Sequence, residues 1–253
     1  MTALYDADYA RKYRVRDEEL ELVDTYHELV RWIGDVCNRF DHPIDVLDLG
    51  CGTGRYFWGL RRVNSLTGID ASEPMLAEAA RPTRADQITA ARVTLVRGDL
   101  ASHTFPVESF DLVYSIGVLA EHVALTRALA GRVATWLKPG GRFAFTTIDP
   151  QSPDVPQTLP RWIAGALLPF VPGVMGESLH RRLMAGGMYG DERWIRSTLD
   201  GLFEIESLDR FTSDVHLHGR CVARLRQDAP ARQARLRQDA PARQARGPAR
   251  QAS

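Results

Sequence analysis

The sequence is short of cysteine, of long apolar runs and of net charge, and each shortage closes off a class of protein. Cys37, Cys51 and Cys221 are its three cysteines. Odd in number and far apart, they form neither a disulfide framework nor a CxxC or Cys/His cluster with zinc-ligand spacing. A reducing, cytoplasmic location is the expectation. The opening stretch MTALYDADYARKYRVRDEE is polar and charged where a secretory signal needs an apolar core. The longest mostly apolar segment, 162–175, falls below the roughly 20 residues of a membrane span. It is also interrupted by Pro169 and Pro172, so no span is expected.

Lysine and arginine balance aspartate and glutamate at 32 each, but unevenly along the chain. Residues 224–253 hold eight arginines against Asp228 and Asp239, a net +6, which leaves −6 for the body. An acidic body has no general attraction for a polyanion, so nucleic acid is not an expected partner of the folded part. The tail repeats itself: ARLRQDAPARQ fills 223–233 and recurs at 234–244. That 11-residue period lacks an apolar seam and carries a proline in each copy, so a coiled coil is excluded and a disordered, Arg-rich tail over 224–253 is expected.

What the body does have is alternation. Over 17–40, Leu22, Tyr26, Leu29, Ile33, Val36 and Phe40 recur at three- and four-residue steps, the pattern of an amphipathic helix. After DHP at 41–43 come short apolar runs that read as strands: IDVLDLG, SLTGID (65–70), VTLVRGD (93–99), FDLVYSIG (110–117) and GRFAFTTI (141–148). With helical stretches between them, these predict an α/β fold with a doubly wound, mostly parallel sheet. Two later runs, FEIESLDRF and LHGRCVARL, predict an antiparallel hairpin that brings the sheet to seven strands.

The stretch VLDLGCGTGRY places Gly50, Gly52 and Gly54 at alternate positions directly after the first strand. In a doubly wound sheet that turn lies at the ligand-binding edge, and bare backbone lets a ligand approach closely. The G-x-G-x-G spacing differs from the G-x-G-x-x-G of dinucleotide enzymes, which disfavours a nicotinamide-dependent oxidoreductase. Asp70, at the end of the second strand, is placed to accept both hydroxyls of a ribose. Asp99, read as closing the third strand, suits an adenine amino group. The pattern is nucleoside-shaped.

With these features in place, the body resembles the class I S-adenosylmethionine-dependent methyltransferases of the small-molecule type, whose fold is a Rossmann-like seven-stranded sheet. The matching stretches are VLDLGCGTG, GIDASEPML, VRGDL, FDLVYSIGVLAEHV and LKPGGRFAFT, spanning about 46–147. The resemblance implies S-adenosyl-L-methionine as cofactor. It implies that Asp48 and the loop Gly50, Cys51, Gly52, Thr53 and Gly54 hold the methionine end. Asp70 would bind the ribose, Asp99 and Leu100 the adenine, with Ala71 and Ile69 or Met75 as apolar neighbours, and Ser115, Ile116 and Gly117 would face the amino group and sulfonium. Tyr5, Tyr9 and Tyr13 would belong to a helical lid over 1–40, with Tyr13 the contact, unless these rings only pack the first helix on the sheet.

The domain expected is 1–223, with 150–190 as a proline-studded apolar insertion over the acceptor site. Trp162, Leu167, Phe170, Met175, Met184 and Tyr189 make that insertion suited to a small, fairly hydrophobic acceptor, a sheet-edge cover or a homodimer contact. His122 in LAEHV is the candidate base for an acceptor that must lose a proton, whereas Glu121 is expected at a solvent-facing helix start. No acidic cluster suits a divalent ion, and His216 with His218 makes too few ligands, so no metal is expected. YSIG also lacks the Asn/Asp-Pro-Pro-aromatic turn of the nucleobase and amide N-methylating branches, leaving oxygen, carbon and aliphatic nitrogen acceptors open. A non-catalytic protein of the same fold that binds the donor as a partner or sensor is the alternative.

Overall fold

The computed structural model describes residues 6–20, 22–149, 152, 191–213 and 216–228. Tyr5, the insertion 150–190 apart from Ser152, and the repeat beyond 228 lie outside the described residues, as do the expectations placed on them. In chain order the elements are α1 (Ala7–Leu20), α2 (Asp24–Cys37), β1 (Ile44–Leu49), β2 (Val63–Asp70), α3 (Glu73–Ala79), β3 (Arg92–Arg97), β4 (Phe110–Ser115), α4 (Arg127–Trp136), β5 (Leu137–Ile148), α5 (Glu192–Leu199), β6 (Phe203–Ser213) and β7 (His216–Leu225).

The strands form one sheet in the order β3-β2-β1-β4-β5-β7-β6. Pairing is parallel from β3 through β5 and antiparallel where β7 enters between β5 and β6. The sheet is therefore doubly wound, mostly parallel and closed by a C-terminal antiparallel hairpin, as the strand pattern predicts. From β1 the chain steps outward to β2 and β3, then returns to β4 on the other side of β1. The carboxyl ends of β1 and β4 thus flank the switch point, where an open α/β sheet has its ligand crevice.

Alternation of side chains along β1 divides the core in two. Leu47 and Leu49 join Val113, Phe143 and Phe145 in packing against Leu129, Val133 and Trp136 of α4 and Ile195 and Leu199 of α5. Val46 points the other way and joins Leu112, Tyr114 and Val222 against Ile33, Val36 and Cys37 of α2. Apolar positions on both faces are why these strands read as near-continuous hydrophobic runs. Three helices begin on side-chain caps: Ser72 accepts from the Met75 N–H, Thr126 from Leu129 and Asp191 from Trp194. Each cap is worth about 1 kcal/mol.

The structure corrects four expectations. The helix anticipated over 17–40 is described as two helices, Ala7–Leu20 and Asp24–Cys37, and Leu22 lies 89% exposed instead of on the buried face. Asp17, near the end of α1, turns inward to Thr53 and Arg55. Beyond the glycines there is no α-helix, only a 3₁₀ turn at Phe57–Gly59 that packs Phe57 and Trp58 inward, and no helix joins β3 to β4. The third strand ends at Arg97, so Asp99 lies two residues past it, in a turn closed by the Ala101 N–H on its own carboxylate at 2.7 Å. At the C-terminal end, Arg224 and Leu225 belong to β7, so ordered structure continues past 223.

Candidate functional site

The glycine loop owes its shape to three left-handed backbones in alternation: Gly50, Gly52 and Gly54 have φ of 78°, 53° and 75°. Any residue with a Cβ is strained there. Space adds a second constraint, since a Cβ on Gly50 would stand 2.6 Å from Val118 and one on Gly54 2.8 Å from Phe57. The loop is fastened to the end of β2 by the Gly50 and Cys51 N–H groups, which both donate to the Ile69 carbonyl, at 2.8 and 3.0 Å. Asp70 holds it from the side: one carboxylate oxygen accepts from Gly52 N–H at 3.0 Å and the other from Ser72 N–H at 2.8 Å. These two bonds orient Asp70 and leave further lone pairs for a ligand.

Asp48 lies beneath the loop, 4% exposed, and its partner is the Tyr114 hydroxyl, which donates at 2.6 Å. Burial pushes its pKa up to about 7, against the Tyr114 hydrogen bond and with Asp70 adding repulsion. A carboxylate in that position has strong reason to take a cation. Across the crevice, the buried Ser115 hydroxyl donates to the Leu49 carbonyl at 2.8 Å, joining β4 to β1 at the switch point. Ile116 is buried, and Gly117, at φ 72°, donates its N–H to the Thr146 hydroxyl at 2.9 Å. Met75 is buried and its methyl group reaches to 3.4 Å of where a Gly52 Cβ would stand. Leu100 is buried, while Ala71 and Asp99 are exposed at the rim.

The first helix reaches this loop. Thr53 donates its hydroxyl to Asp17 of α1, Arg55 forms an ion pair with the same carboxylate, and the Arg55 guanidinium sits 4.5 Å from the centre of the Tyr13 ring. Tyr9 stacks on Tyr13 with ring centres 5.7 Å apart. Tyr13 is thus brought to the edge of the loop by α1. Asp17 and Arg55 link α1 to the loop, and no motif in the sequence marks either of them.

His122 and Glu121 occupy a tight turn after β4, not a helix start. Glu121, His122 and Val123 all direct their N–H groups at the Val118 carbonyl, and Ala120 takes a left-handed φ of 61°. His122 is solvent-accessible; partial burial lowers its pKa, opposed by Asp70. Glu121 is the correction. It points inward, one oxygen is fully enclosed without a hydrogen-bond partner among the described residues, and burial raises its pKa to about 7. Elsewhere, His218 bonds Ser213 and stacks on Phe211, and Asp149 pairs with Arg210. Among the described residues no group of three His, Cys, Asp or Glu could hold a metal, and no helix is long and apolar enough to cross a membrane.

A doubly wound sheet with a three-glycine loop at its switch point and acids at the ends of β1 and β2 defines a nucleoside-binding α/β protein of Rossmann-like type. Residues 46–141 match the family model described as a methyltransferase domain. Nocamycin O-methyltransferase of Saccharothrix syringae is 35% identical over 128 residues, 49% of this chain and 43% of that one. The mitochondrial ubiquinone biosynthesis O-methyltransferase of Schizosaccharomyces pombe is 31% identical over 41% of this chain and 37% of its own. Among solved structures, an S-adenosylmethionine-dependent methyltransferase from Mesorhizobium loti superposes with a TM-score of 0.51 at 25% identity, covering 72% of this chain and 91% of that one. Residues 46–141 thus match a methyltransferase domain, in a fold shared with S-adenosylmethionine-dependent methyltransferases of known structure. The chain spans less than half the length of these two curated relatives.

Proposed function

We propose that the protein binds S-adenosyl-L-methionine at the switch point and transfers its methyl group to a small, fairly hydrophobic acceptor. The observation that carries this reading is the convergence, at one sheet edge, of the strained glycine loop with Asp48 and Asp70. In this reading Asp48 and the glycine loop hold the methionine end, Asp70 the ribose, and Asp99 with Leu100 the adenine. Met75 lies against the nucleoside, and Ser115 to Gly117 face the sulfonium. Tyr13, carried by α1, covers the donor. The transfer is an in-line displacement: the acceptor atom bonds to the methyl carbon as the carbon–sulfur bond breaks, and the donor departs as a neutral thioether. Holding the two partners aligned supplies roughly 7 to 11 kcal/mol of the barrier. For an acceptor that loses a proton, His122 takes it.

The relatives named as O-methyltransferases favour an oxygen acceptor within this reading. The alternative, a donor-binding partner or sensor without turnover, has the same donor site. Calorimetry with S-adenosylmethionine tests both together, since a well-folded protein without affinity for it belongs to neither. Asp70→Ala should weaken binding by roughly 2 to 4 kcal/mol, the value of a charge-assisted pair of hydrogen bonds. Unchanged affinity would move the ribose elsewhere. A mass-shift screen of hydroxylated and aminated hydrophobic metabolites then separates enzyme from sensor.

A further inference from the structure

Glu121, in the turn after β4, is left without a task by the proposed function, and its setting is specific. The turn that carries it is closed by three N–H groups on the Val118 carbonyl and by Ala120 N–H on the Val123 carbonyl at 2.8 Å. Its side chain is thereby directed back toward β4. One carboxylate oxygen is enclosed without a hydrogen-bond partner among the described residues, and the other lies 4.0 Å from the point where a Cβ on Gly117 would stand. The carboxylate therefore borders the space that Gly117 leaves open.

The charged groups around the crevice come from every element that meets it. Asp48 on β1, Asp70 on β2 and Asp99 beyond β3 are acids. His122 shares the turn, and Asp149 beyond β5 is committed to Arg210 at 2.9 Å. Among the described residues Arg55 is engaged with Asp17, and Arg127 with carbonyls at the end of α5, including that of Asp200 at 2.9 Å. Burial is the one cause that lifts Glu121 to about 7, with no neighbouring charge contributing. An enclosed carboxylate without a cation is costly to keep, which makes sense where a ligand brings the cation.

We propose that Glu121 reads the charge on the donor's sulfur, favouring the cationic sulfonium over the neutral thioether that remains after transfer. The inference rests on the methyl-transfer reading above. Donor and product share the ammonium, ribose and adenine, so Asp48, Asp70 and Asp99 act on both alike. Only the sulfur changes charge, and only a group beside it can tell the two apart. The attraction holds the donor before transfer and disappears with the positive charge, so the spent cofactor is released more readily than the fresh one.

The test is calorimetric titration of the protein with S-adenosylmethionine and with S-adenosylhomocysteine at pH 8, for the unaltered protein and Glu121→Gln. The ratio of the two affinities should fall on the order of tenfold in the variant, with affinity for S-adenosylhomocysteine held within about twofold. In the unaltered protein the ratio should also fall as pH drops from 8 to 6, because the carboxyl group is charged above about 7 and neutral below. In Glu121→Gln the same series should be flat. An equal ratio in both proteins overturns the inference, and so does a pH slope that survives the substitution, which would belong to His122. If Glu121→Gln shows no cooperative thermal transition, the pH series on the unaltered protein decides, a flat ratio being the overturning result. Absence of binding by either compound overturns the methyl-transfer reading itself, whereas binding of both with an indifferent ratio overturns this inference alone.

Discussion

The two ends of the central strands treat their acids in opposite ways. At the amino ends, Lys138 stands between Asp45 and Asp111 at 2.7 Å from each. Ser65 and Asn64 also donate to Asp45, and His42 lies 3.3 Å from Asp111. Burial raises the Asp45 pKa, but Lys138 and the two hydrogen bonds outweigh it, and the net shift is downward. At the carboxyl ends, Asp48 has a tyrosine for company, Glu121 has no partner among the described residues, and burial carries both up to about 7. One end has its cation among the described residues; the other is the end at which the proposed donor binds. A sheet therefore shows where its ligand goes by which of its buried carboxylates lack a cation.

Three substitutions sharpen that contrast. The largest effect belongs to Gly50→Ala, which imposes a Cβ on a left-handed backbone and drives it into Val118. A loss of about 2 to 5 kcal/mol is expected in urea unfolding, with donor binding abolished. Next is Asp48→Asn, which keeps an acceptor for Tyr114 and removes the buried charge. An acid whose folded pKa is raised contributes stability below its unfolded value that is lost as pH rises through the folded one, here between about 4 and 7. Asp48→Asn should therefore gain about 2 to 3 kcal/mol at pH 8 while losing donor affinity, and show little gain at pH 4. The smallest is Lys138→Met, which gives the amino end the unpaired acids of the carboxyl end. It should cost about 1 to 2 kcal/mol near neutrality without changing donor affinity, and NMR titration should find the Asp45 pKa raised. A loss of donor binding in Lys138→Met would erase the distinction between the two ends.

The features that were legible in the sequence are those with short-range causes. Alternate glycines permit a left-handed backbone at alternate positions, so GCGTG marks its loop, and two-sided burial marks the strands. What escaped notice was decided at long range. Leu22 fits the helical phase of 17–40, and nothing local to it announces that Asp17 is drawn to a loop 36 residues away. RYFWGL has the apolar content of a helix, yet Gly59 packs close against Val30 and Ile33 of α2, and the segment stays a single 3₁₀ turn. Glu121 was misread for a similar reason. AEHV resembles a helix start, and its actual turn depends on Ala120 adopting a conformation that its residue type gives no hint of.

The place of β7 has a bearing on how the chain is made. It lies between β5 and β6, with Cys221, Val222 and Ala223 wholly enclosed, yet it is the last of the described strands to be synthesised. During translation β6 leaves the ribosome before β7, its one neighbour in the sheet, and β5, already paired with β4, has one open edge. β6 must wait for residues 216–225 before it can pair and β5 before its second edge is covered, so the nascent protein carries exposed strand edges until β7 emerges.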